Sequence, residues 1–479
     1  MLLSLPGDDV LYREIYRALK AAIDSGKLAA GARLPSTRIL ASDLKVSRNT
    51  ILRAYEQLLA EGYVVARGRS ATLVAETLSR RAGRRPVKTA PRPVRLSAYG
   101  RRVARHRRLL RPEGFSTASP RIDFRYGDPA VADFPQAAWR RLMAARAHNL
   151  SIPSIGYASP NGYEPLPKQL ARYLRRARGM SCDADQIVVV NGSQQAFDLI
   201  ARVLLDPGDA VVIEEPSYSG ARLIFETVAA KLLRVPIDRA GLDVDALPPG
   251  TIRLAYVTPC HQFPTGVIMP TSRRLALLDW ASRTGAYLIE DDYVSEYRYE
   301  GRPLEPLQTL DHAGIVIYVG TLSKVLFPAL RIAYLVLPTP LVRPFVVAKF
   351  LADRFSPTLA QQTLTDFMDQ GQFDRHLRRS CARNAKRRQV LTSALKTHFG
   401  DRVEIAGENA GVHLLVWFND FSSEDGHAVV ERAAGEGIGI YPVTACYARP
   451  PRRLGLLFGY ASLGEASIRI GVRRLAEVI

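Results

Sequence analysis

Six short apolar runs constrain the fold of residues 119–479 more than any other feature of the sequence. They are rich in Val and Ile, each ends in polar, Gly or Pro residues, and helical patterns separate them. In chain order they read "QIVVVNG", "AVVIEEP", "IRLAYVTP", "AYLIEDD", "IVIYVG" and "RIAYLVLP". Continuous apolar strands that alternate with helices are typical of a parallel sheet covered on both faces. We therefore predict an α/β domain with a mainly parallel sheet, whose ligand site lies beyond the carboxyl ends of the strands.

The first 77 residues predict a separate and smaller unit. Ile15, Leu19 and Ile23 recur at the spacing of one helix face. Ser36 and Ser47 stand where two further helices would begin, as N-cap candidates, and "YVVARGRSATLVA" is typical of strand, turn and strand. Together these elements form a winged helix-turn-helix, in which the second helix of the motif enters the major groove of DNA. The alternative is a three-helix packing module with charged solvent faces.

This unit resembles the DNA-binding domain of the GntR superfamily of bacterial regulators. The matching stretch is "GARLPSTRILASDLKVSRNTILRAYEQLLAEGYV". The resemblance implies DNA contacts from Arg33, Ser36, Arg38, Ser47, Arg48, Asn49, Thr50 and Arg67. Arg and Asn make bidentate contacts with base edges, and Ser or Thr hydroxyls bind phosphates. The wing tip departs from the family pattern, because residues 68–72 read "GRSAT" where members commonly carry Gly-Ser-Gly-Thr.

Residues 78–118 carry most of the excess positive charge. They contain twelve Arg, one Lys and one Glu, in a chain whose net charge is +20. The recurring Pro predicts an extended linker, and the later part, "YGRRVARHRRLL", has the composition of a short basic helix. This segment is either a solvated tether or an arm that binds phosphates without sequence preference. The predicted organisation is a DNA-binding domain (1–77), a basic linker (78–118) and the α/β domain (119–479).

Several classes of protein are disfavoured by composition. No apolar run approaches the roughly 18–20 residues of a membrane span. The start, "MLLSLPGDDV", lacks the basic region of a signal peptide. The four cysteines are far apart and form no CxxC pair, which favours reduced thiols over a disulfide framework. We expect a cytoplasmic protein with no membrane partner.

Polar residues follow the predicted strands. Ser193 and Gln194 open a helix directly after a strand, where free N–H groups and the helix dipole favour a phosphate. Tyr218 follows the next strand and could stack on a planar ligand. Asp291 and Tyr293 end a third strand. We expect no metal there, because no His lies at ligand spacing; an acid can instead hold a protonated ring nitrogen.

The stretch "GTLSKVLFPALR" completes this set. Thr321, Ser323 and Arg331 are donors suited to a phosphate, and Lys324 lies among them. A partly buried lysine beside positive charge has a lowered pKa and can form a Schiff base with an aldehyde. A lysine, a ring-nitrogen acid, a stacking aromatic residue and a phosphate cup are what pyridoxal 5′-phosphate (PLP) requires. The sequence therefore predicts a PLP site.

Residues 119–479 resemble fold type I aminotransferases, and the whole chain resembles the MocR subfamily of GntR-type regulators. The motifs that carry the resemblance are those quoted above, with "YASPNGYEPLPKQLARYL" and "EASIRIGVRRLAEVI". It implies that Lys324 is the catalytic lysine and holds PLP as an internal aldimine, that Asp291 pairs with the ring nitrogen, and that Tyr293 lies near the phenolic oxygen. It assigns ring stacking to Tyr218. It assigns the phosphate to Ser193, Gln194, Thr321, Ser323 and Arg331.

Two positions depart from the aminotransferase pattern. The Asn that usually precedes Pro-Thr-Gly is Phe263 here, with His261 and Gln262 as possible substitutes. The C-terminal strand, where many of these enzymes carry an arginine for the substrate carboxylate, reads "LGLLFGYAS" and has none. Arg453 lies just upstream, and Arg469 is expected on the last helix.

Three functions follow from these patterns. The first is a PLP-dependent, homodimeric transcriptional regulator that binds double-stranded operator DNA and senses PLP or an amino compound through Lys324. The second is an active aminotransferase with an accessory DNA-binding head. The third is an architectural DNA-binding protein that uses no PLP.

Overall fold

The computed structural model describes residues 8–67, 71–76, 94–106, 120–151, 155–301 and 305–479. The chain divides into two compact units, Met1–Arg95 and Leu96–Ile479. Most of the predicted linker (78–118) and three residues of the wing tip (68–70) lie outside the described residues. No helix in the described ranges is long and apolar enough to cross a membrane.

The first unit is the predicted winged helix-turn-helix. Its helices are α1 (Asp8–Asp24), α2 (Thr37–Leu44) and α3 (Arg48–Ala60), and its antiparallel hairpin pairs β1 (Val64–Arg67) with β2 (Ala71–Val74). Both predicted caps are confirmed: the Ser36 Oγ accepts a hydrogen bond from the Ile39 N–H at 3.3 Å, and the Ser47 Oγ accepts one from the Thr50 N–H at 3.1 Å. Its core consists of residues from all three helices and the hairpin, including Ile15, Ile23, Ile51, Tyr55, Leu58 and Val74.

A short basic helix, α4 (Ala98–Arg105), begins the second unit. Its N-terminus is capped by Ser97, whose Oγ accepts a hydrogen bond from the Gly100 N–H at 3.0 Å. The Arg102 Nε donates to the Thr227 carbonyl at 2.6 Å. This part of the basic segment is therefore attached to the second unit.

The centre of the second unit is an eight-stranded sheet. Its strands are β4 (Ile187–Val190), β5 (Ala210–Glu215), β6 (Lys231–Asp238), β7 (Gly241–Leu242), β8 (Leu254–Val257), β9 (Tyr287–Asp292), β10 (Val316–Thr321) and β11 (Ala333–Val336). The order is β4-β11-β10-β9-β8-β5-β6-β7. The pairs from β10 through β9, β8 and β5 to β6 are parallel, whereas β11 is antiparallel to both neighbours. All six predicted strands are present; β6 was missed because "KLLRVPID" is interrupted by charge and proline.

Helices cover both faces of this sheet, as continuous apolar strands require. They are α5 (Gln136–His148), α6 (Pro165–Arg178), α7 (Ser193–Leu204), α8 (Ser219–Thr227), α9 (Thr271–Thr284), α10 (Leu307–Leu310), α11 (Thr339–Asp353) and α12 (Thr358–Asp369). Separate apolar clusters form on the two faces: one contains Val189 and Tyr318 with residues of α5 and α6, and the other contains Val188 and Ile317 with residues of α7.

The C-terminal part forms a smaller antiparallel sheet. Its strands β12 (Val403–Ala406), β13 (His413–Ser422), β15 (Tyr441–Pro442) and β16 (Arg453–Gly459) are ordered β12-β13-β16-β15. The short strands β3 (Ile122–Asp123) and β14 (Ile438–Gly439) pair in parallel beside it. Helices α13 (Gln372–Phe399), α14 (Gly426–Gly435) and α15 (Glu465–Val478) complete this part.

A buried ion pair joins the end of α6 to the sheet. The Arg178 guanidinium lies 2.9 Å from the Asp292 Oδ2, with side-chain exposures of 5% and 1%. The hydroxyls of Ser295 and Tyr318 donate to the same oxygen at 2.7 and 2.8 Å. These bonds stabilise the carboxylate in a site that excludes water.

We expect Arg178→Met to lower the free energy of unfolding by about 3–5 kcal/mol, because it leaves the buried Asp292 charge without its cation. The matched control is Arg176→Met on the same helix. Arg176 pairs with Asp374 at 2.6 Å, but with exposures of 65% and 36%, so its loss should cost about 1 kcal/mol or less. Urea unfolding measures both values, and equal losses would contradict this account.

Candidate functional site

The direction of the strands brings the predicted site residues to one edge of the sheet. The strands β4, β5, β8, β9 and β10 all run the same way, so their carboxyl ends lie on that edge. The antiparallel β11 begins there instead of ending there. The edge therefore receives the residues that follow five strands and, from the segment before β11, Arg331, which lies two residues before Ala333.

Lys324 lies three residues beyond β10, and its amine points to the loop before Pro129. The Lys324 Nζ donates to the Gly127 carbonyl at 2.6 Å. Burial lowers the pKa of the Lys324 amine, and the nearby carboxylates of Asp128 and Asp291 oppose that shift. A lowered pKa increases the neutral, nucleophilic fraction of the amine.

Asp291 is buried, and its Oδ2 accepts a hydrogen bond from the Tyr256 hydroxyl at 2.6 Å. Burial raises the pKa of Asp291 to about 7, although the Tyr256 bond and the Lys324 charge act in the opposite direction. A cationic group placed beside it would stabilise its charged form. The next residue, Asp292, belongs to the Arg178 ion pair, since successive side chains of a strand point to opposite faces.

Arg331 lies against the N-terminus of α7. Its Nη2 donates to the Asn191 carbonyl at 2.8 Å. Gly192 caps the helix with φ +88°, and a Cβ there would lie 2.6 Å from the guanidinium carbon of Arg331. Only a glycine permits this approach. A helix N-terminus and an exposed guanidinium together can bind an anion such as a phosphate.

The remaining predicted anion ligands lie close to this point in the fold. Ser193 is the first residue of α7, and the Gln194 Nε2 donates to the Tyr218 hydroxyl at 3.2 Å. Thr321 ends β10, and its Oγ1 accepts a hydrogen bond from the Ser323 N–H at 3.2 Å. Hydroxyl and amide groups from β10 and α7 therefore face the same edge as Arg331.

Aromatic side chains form a cluster at this edge. Phe263 packs edge-on against Tyr218 and Tyr293, with centroid distances of 5.7 and 6.1 Å. Leu415 and Leu457 of the smaller sheet belong to the same apolar cluster. The two predicted tyrosines therefore each contact Phe263, and the C-terminal sheet contributes apolar side chains to the same cluster.

His261 and Gln262 have different roles. Within its own turn the Gln262 Oε1 accepts from the Thr265 hydroxyl at 2.7 Å and the Gln262 Nε2 donates to the Phe263 carbonyl at 2.7 Å; the Nε2 also donates to the Pro216 carbonyl, after β5, at 2.8 Å. The His261 Nδ1 lies 2.9 Å from the Tyr293 hydroxyl. Burial, and next the neighbouring His413, lower the pKa of His261 to about 3, so its ring is neutral at physiological pH. Of these two residues, His261 is the one that orients Tyr293.

Neither of the two C-terminal arginines belongs to this site. Arg453 begins β16, where its Nη1 donates to the Asn419 Oδ1 at 2.9 Å and its guanidinium stacks on Trp417. Arg469 is 61% exposed and lies 3.9 Å from Glu465 on α15. The β16 residue in the aromatic cluster is Leu457, which is fully buried.

Four residues of the site carried no signal that the sequence analysis used: Gly127, Asp128, Tyr256 and Leu457. Gly127 and Asp128 are about 200 positions from Lys324, in a loop after a two-residue strand. Tyr256 lies within the apolar run "IRLAYVTP", where a single tyrosine does not differ enough from its neighbours to indicate a site. Side chains alternate between the two faces of a strand, and this alternation, counted from Asp291 across the neighbouring strands, could have identified Tyr256. The other three residues required the tertiary structure. Among the described residues, no group of three or more His, Cys, Asp or Glu side chains is arranged to hold a metal ion.

The predicted DNA-binding residues lie on the first unit. Seven of them are exposed: Arg33, Ser36, Arg38, Ser47, Arg48, Asn49 and Arg67. Thr50 differs, because it is only 5% exposed and its hydroxyl lies 2.7 Å from the Ser47 Oγ. The hydroxyl of Thr50 supports the cap of α3, and a direct DNA contact from Thr50 stays a prediction. The Ser36 and Ser47 hydroxyls are likewise engaged in capping, and the arginines and Asn49 are the other exposed polar side chains of the predicted set.

Comparison with known proteins gives two family matches. Residues 11–74 match the model of bacterial regulatory proteins of the gntR family. Residues 123–475 match the model of class I and II aminotransferases.

Individual proteins match between 80% and 99% of the chain. It is 37% identical over 478 residues to the probable rhizopine catabolism regulatory protein MocR of Rhizobium meliloti, covering 99% of this chain and 95% of that protein. Among solved structures, it resembles kynurenine aminotransferase of Pyrococcus horikoshii with a TM-score of 0.69 and 29% identity, covering 81% and 95% of the two chains. The α-aminoadipate aminotransferase LysN of Thermus thermophilus matches with a TM-score of 0.71 and 29% identity, covering 80% and 98%.

The Gly192 and Arg331 arrangement predicts a selective loss of phosphate binding. We expect Gly192→Ala to weaken PLP binding about ten-fold or more, because its Cβ displaces the Arg331 guanidinium from the helix end. Gly208→Ala is the control: it has φ +98° but no atom within 4 Å of the added Cβ, so it introduces backbone strain without a collision. Fluorescence titration with PLP measures both affinities, and an equal loss in the two variants would contradict the role of Arg331.

The buried Glu214 predicts a pH-dependent effect on stability. Its Oε2 accepts hydrogen bonds from the Thr258 hydroxyl at 2.7 Å and from the Gln262 amide at 3.2 Å. Among the described residues its Oε1 has no hydrogen-bond partner. Burial raises the pKa of Glu214 from 4.5 to about 7, so the folded state binds the proton more tightly and stability falls as pH rises through this window.

Glu214→Gln keeps the accepting oxygen and removes the charge. We expect the variant to gain up to about 3 kcal/mol over the native protein at pH 8, and to lose this advantage towards pH 5. Urea unfolding at both pH values tests this. A difference that does not change with pH would show that Glu214 does not titrate in this window.

Proposed function

The chain belongs to the MocR subfamily of GntR-type transcriptional regulators, and from this premise we propose that it is a cytoplasmic regulator in which the Lys324 site senses PLP or a small amino compound. Its first unit binds operator DNA. Its second unit, an aminotransferase-type domain of a PLP-dependent family, serves as the sensor.

The residues at the sheet edge fit PLP. Gly192 leaves room for the Arg331 guanidinium at the N-terminus of α7. This arrangement suits a phosphate. Asp291 suits the ring nitrogen, and Tyr293, oriented by His261, suits the phenolic oxygen. When bound, PLP supplies an electrophilic aldehyde carbon that reacts with amines. The role of Lys324 is to present its amine, whose pKa is lowered by burial and which bonds to the Gly127 carbonyl, at that position.

The observation that carries the proposal is this low-pKa lysine, among donors suited to a phosphate, in a chain that also contains a DNA-binding head. The covalent chemistry of an aminotransferase site distinguishes an amine from other metabolites. A regulator that uses it must bind its ligand unequally in two conformations.

One helix provides a route from the site to the linker. Tyr218 precedes α8 directly, and the other end of α8 is Thr227, whose carbonyl accepts the hydrogen bond from Arg102. Arg102 belongs to α4, which continues from the basic segment. A shift of Tyr218 on ligand binding would move α8 and with it the attachment of the linker, and thereby alter how the heads engage DNA.

A homodimer is supported by an exposed apolar patch on the second unit. Tyr157 is 82% exposed and Leu351 is 77% exposed, with Ile155, Val347 and Phe350 also exposed. Arg354 stacks on Tyr157 at 4.6 Å, so the loop and α11 form one surface. Apolar patches of this kind mark protein interfaces. Two heads in one dimer would bind paired half-sites with the advantage of a high effective concentration.

The proposed function is tested by following DNA binding and cofactor loading together. We expect Arg48→Ala to weaken binding of the full-length protein to DNA from its own promoter region by about 10- to 100-fold. Arg17→Ala, which removes one exposed charge from α1, should have a smaller effect. We expect Lys324→Ala to retain DNA binding but to lose covalent attachment of PLP after borohydride reduction, measured by mass spectrometry. Its DNA footprint should no longer respond to PLP or to amines.

Three outcomes would overturn the proposal. A footprint that responds equally in the native protein and in Lys324→Ala would exclude sensing through this lysine. Rapid multiple turnover of an amino acid and a keto acid, with a footprint that never changes, would favour the aminotransferase with an accessory head. Absence of any PLP binding would favour the architectural DNA-binding protein.

A further inference from the structure

A carboxylate from α11 holds the N-terminus of α7. The Asp353 Oδ2 accepts hydrogen bonds from the Asn191 Nδ2 and from the Gln195 Nε2, both at 2.7 Å. Asn191 directly precedes Gly192, the residue that caps α7, and Gln195 is the third residue of this helix. Asp353 is the last residue of α11 and lies about 160 positions further along the chain. One oxygen atom therefore fixes two side chains at the helix end where Arg331 is bound.

Asn191 connects this carboxylate to the anion site that Arg331 and the N-terminus of α7 form. Its N–H donates to the Gln195 Oε1 at 2.7 Å, and its side chain donates to Asp353. Its carbonyl accepts the hydrogen bond from the Arg331 Nη2 at 2.8 Å. The position of the guanidinium thus depends on Asn191, and the position of Asn191 depends on Asp353 and Gln195. Because a guanidinium binds phosphate through directed hydrogen bonds, a displaced Asn191 would weaken the anion site.

A buried lysine balances the charge of this carboxylate. The Lys349 Nζ donates to the Asp353 Oδ1 at 2.6 Å, and the lysine side chain is 0% exposed, against 24% for the aspartate. Burial lowers the pKa of Lys349, whereas its hydrogen bond to Asp353 favours the charged form. A carboxylate one residue away from an anion site would repel a phosphate if it had no cation beside it. The ion pair allows the carboxylate to hold Asn191 with less of this repulsion.

We propose that Asp353 is a positioning residue of the anion site, and that, with its charge balanced by Lys349, it makes the Lys324 site select PLP over pyridoxal, the same aldehyde without the phosphate. Its carboxylate acts through Asn191 and Gln195. This inference rests on the proposed function, because it concerns the cofactor of the same site.

The test compares the affinities of the full-length protein for PLP and for pyridoxal. Each compound is titrated into the protein, and binding is followed by the absorbance of the aldehyde compound and by tryptophan fluorescence. We expect the native protein to bind PLP more tightly, and we expect changes at Asp353 to alter the affinity for PLP alone. A residue that only stabilised the fold would alter both affinities together.

Two double variants separate positioning from charge. Both contain Lys349→Met, which removes the cation; one adds Asp353→Asn, which keeps an accepting oxygen for the two amides, and the other adds Asp353→Leu, which removes it. We expect the Leu double variant to bind PLP about ten-fold more weakly and to change its affinity for pyridoxal less than about two-fold. The Asn double variant should bind PLP within about three-fold of the native protein, because the position of Asn191 is kept.

The control is Asp198→Asn on α7 itself. Asp198 is 29% exposed and pairs with Arg202 at 2.9 Å, so the change removes a similarly exposed carboxylate from an ion pair one turn further along the helix. It should change neither affinity. Equal PLP affinity in the two double variants, or an equal loss of PLP and pyridoxal binding in the Leu double variant, would overturn the assignment.

A further variant applies if urea unfolding shows that the Leu double variant does not fold. Gln195→Leu removes the acceptor of the Asn191 N–H and leaves the pair of Lys349 and Asp353 in place. It should likewise weaken PLP binding more than pyridoxal binding. An unchanged ratio of the two affinities would then overturn the assignment.

The failure of this inference differs from the failure of the proposed function. If the ratio of affinities does not change in the variants but the footprint of the native protein responds to PLP, sensing through Lys324 stands and only the role of Asp353 is wrong. If the native protein binds neither PLP nor pyridoxal, the proposed function fails, and the positioning role fails with it.

Discussion

The contact between Arg331 and the N-terminus of α7 depends on a single reversed strand, and the rest of the site depends on that contact. Because β11 runs against its neighbours, the segment before it, which contains Arg331, reaches the edge where the neighbouring strands end. Gly192 leaves the space that the guanidinium occupies. The positive end of α7 thereby lies on the same edge of the sheet as Arg331 and Lys324, although the three come from separate segments of the chain.

Burial shifts the pKa values of two groups at this edge in opposite directions. It lowers the pKa of Lys324 and raises that of Asp291, and each partly offsets the shift of the other. The adjacent Asp292 points to the other face of the sheet, where Arg178 holds it as an ion. Two neighbouring acids thus serve different purposes: Asp291 is available to a ligand, whereas Asp292 stabilises the fold.

Much of the architecture was predictable from local patterns, and the errors have identifiable causes. The six apolar runs became strands because a buried parallel strand needs a continuous apolar surface, and Ser36 and Ser47 cap their helices as predicted. β6 was missed because its surface is mixed. The burial of Thr50 was not predicted, because a hydroxyl near a helix start can serve the cap as readily as it serves DNA.

By itself, the sequence determined most elements of the fold and the two kinds of unit, and it predicted a set of residues for a PLP site, since periodicity, caps and motif spacing are local properties. Only the tertiary structure decided what surrounds Lys324. The Gly127–Asp128 loop, the buried Leu457 and the contact between His261 and Tyr293 join segments that are far apart in the chain. Such contacts follow from strand order and packing, which no local pattern specifies.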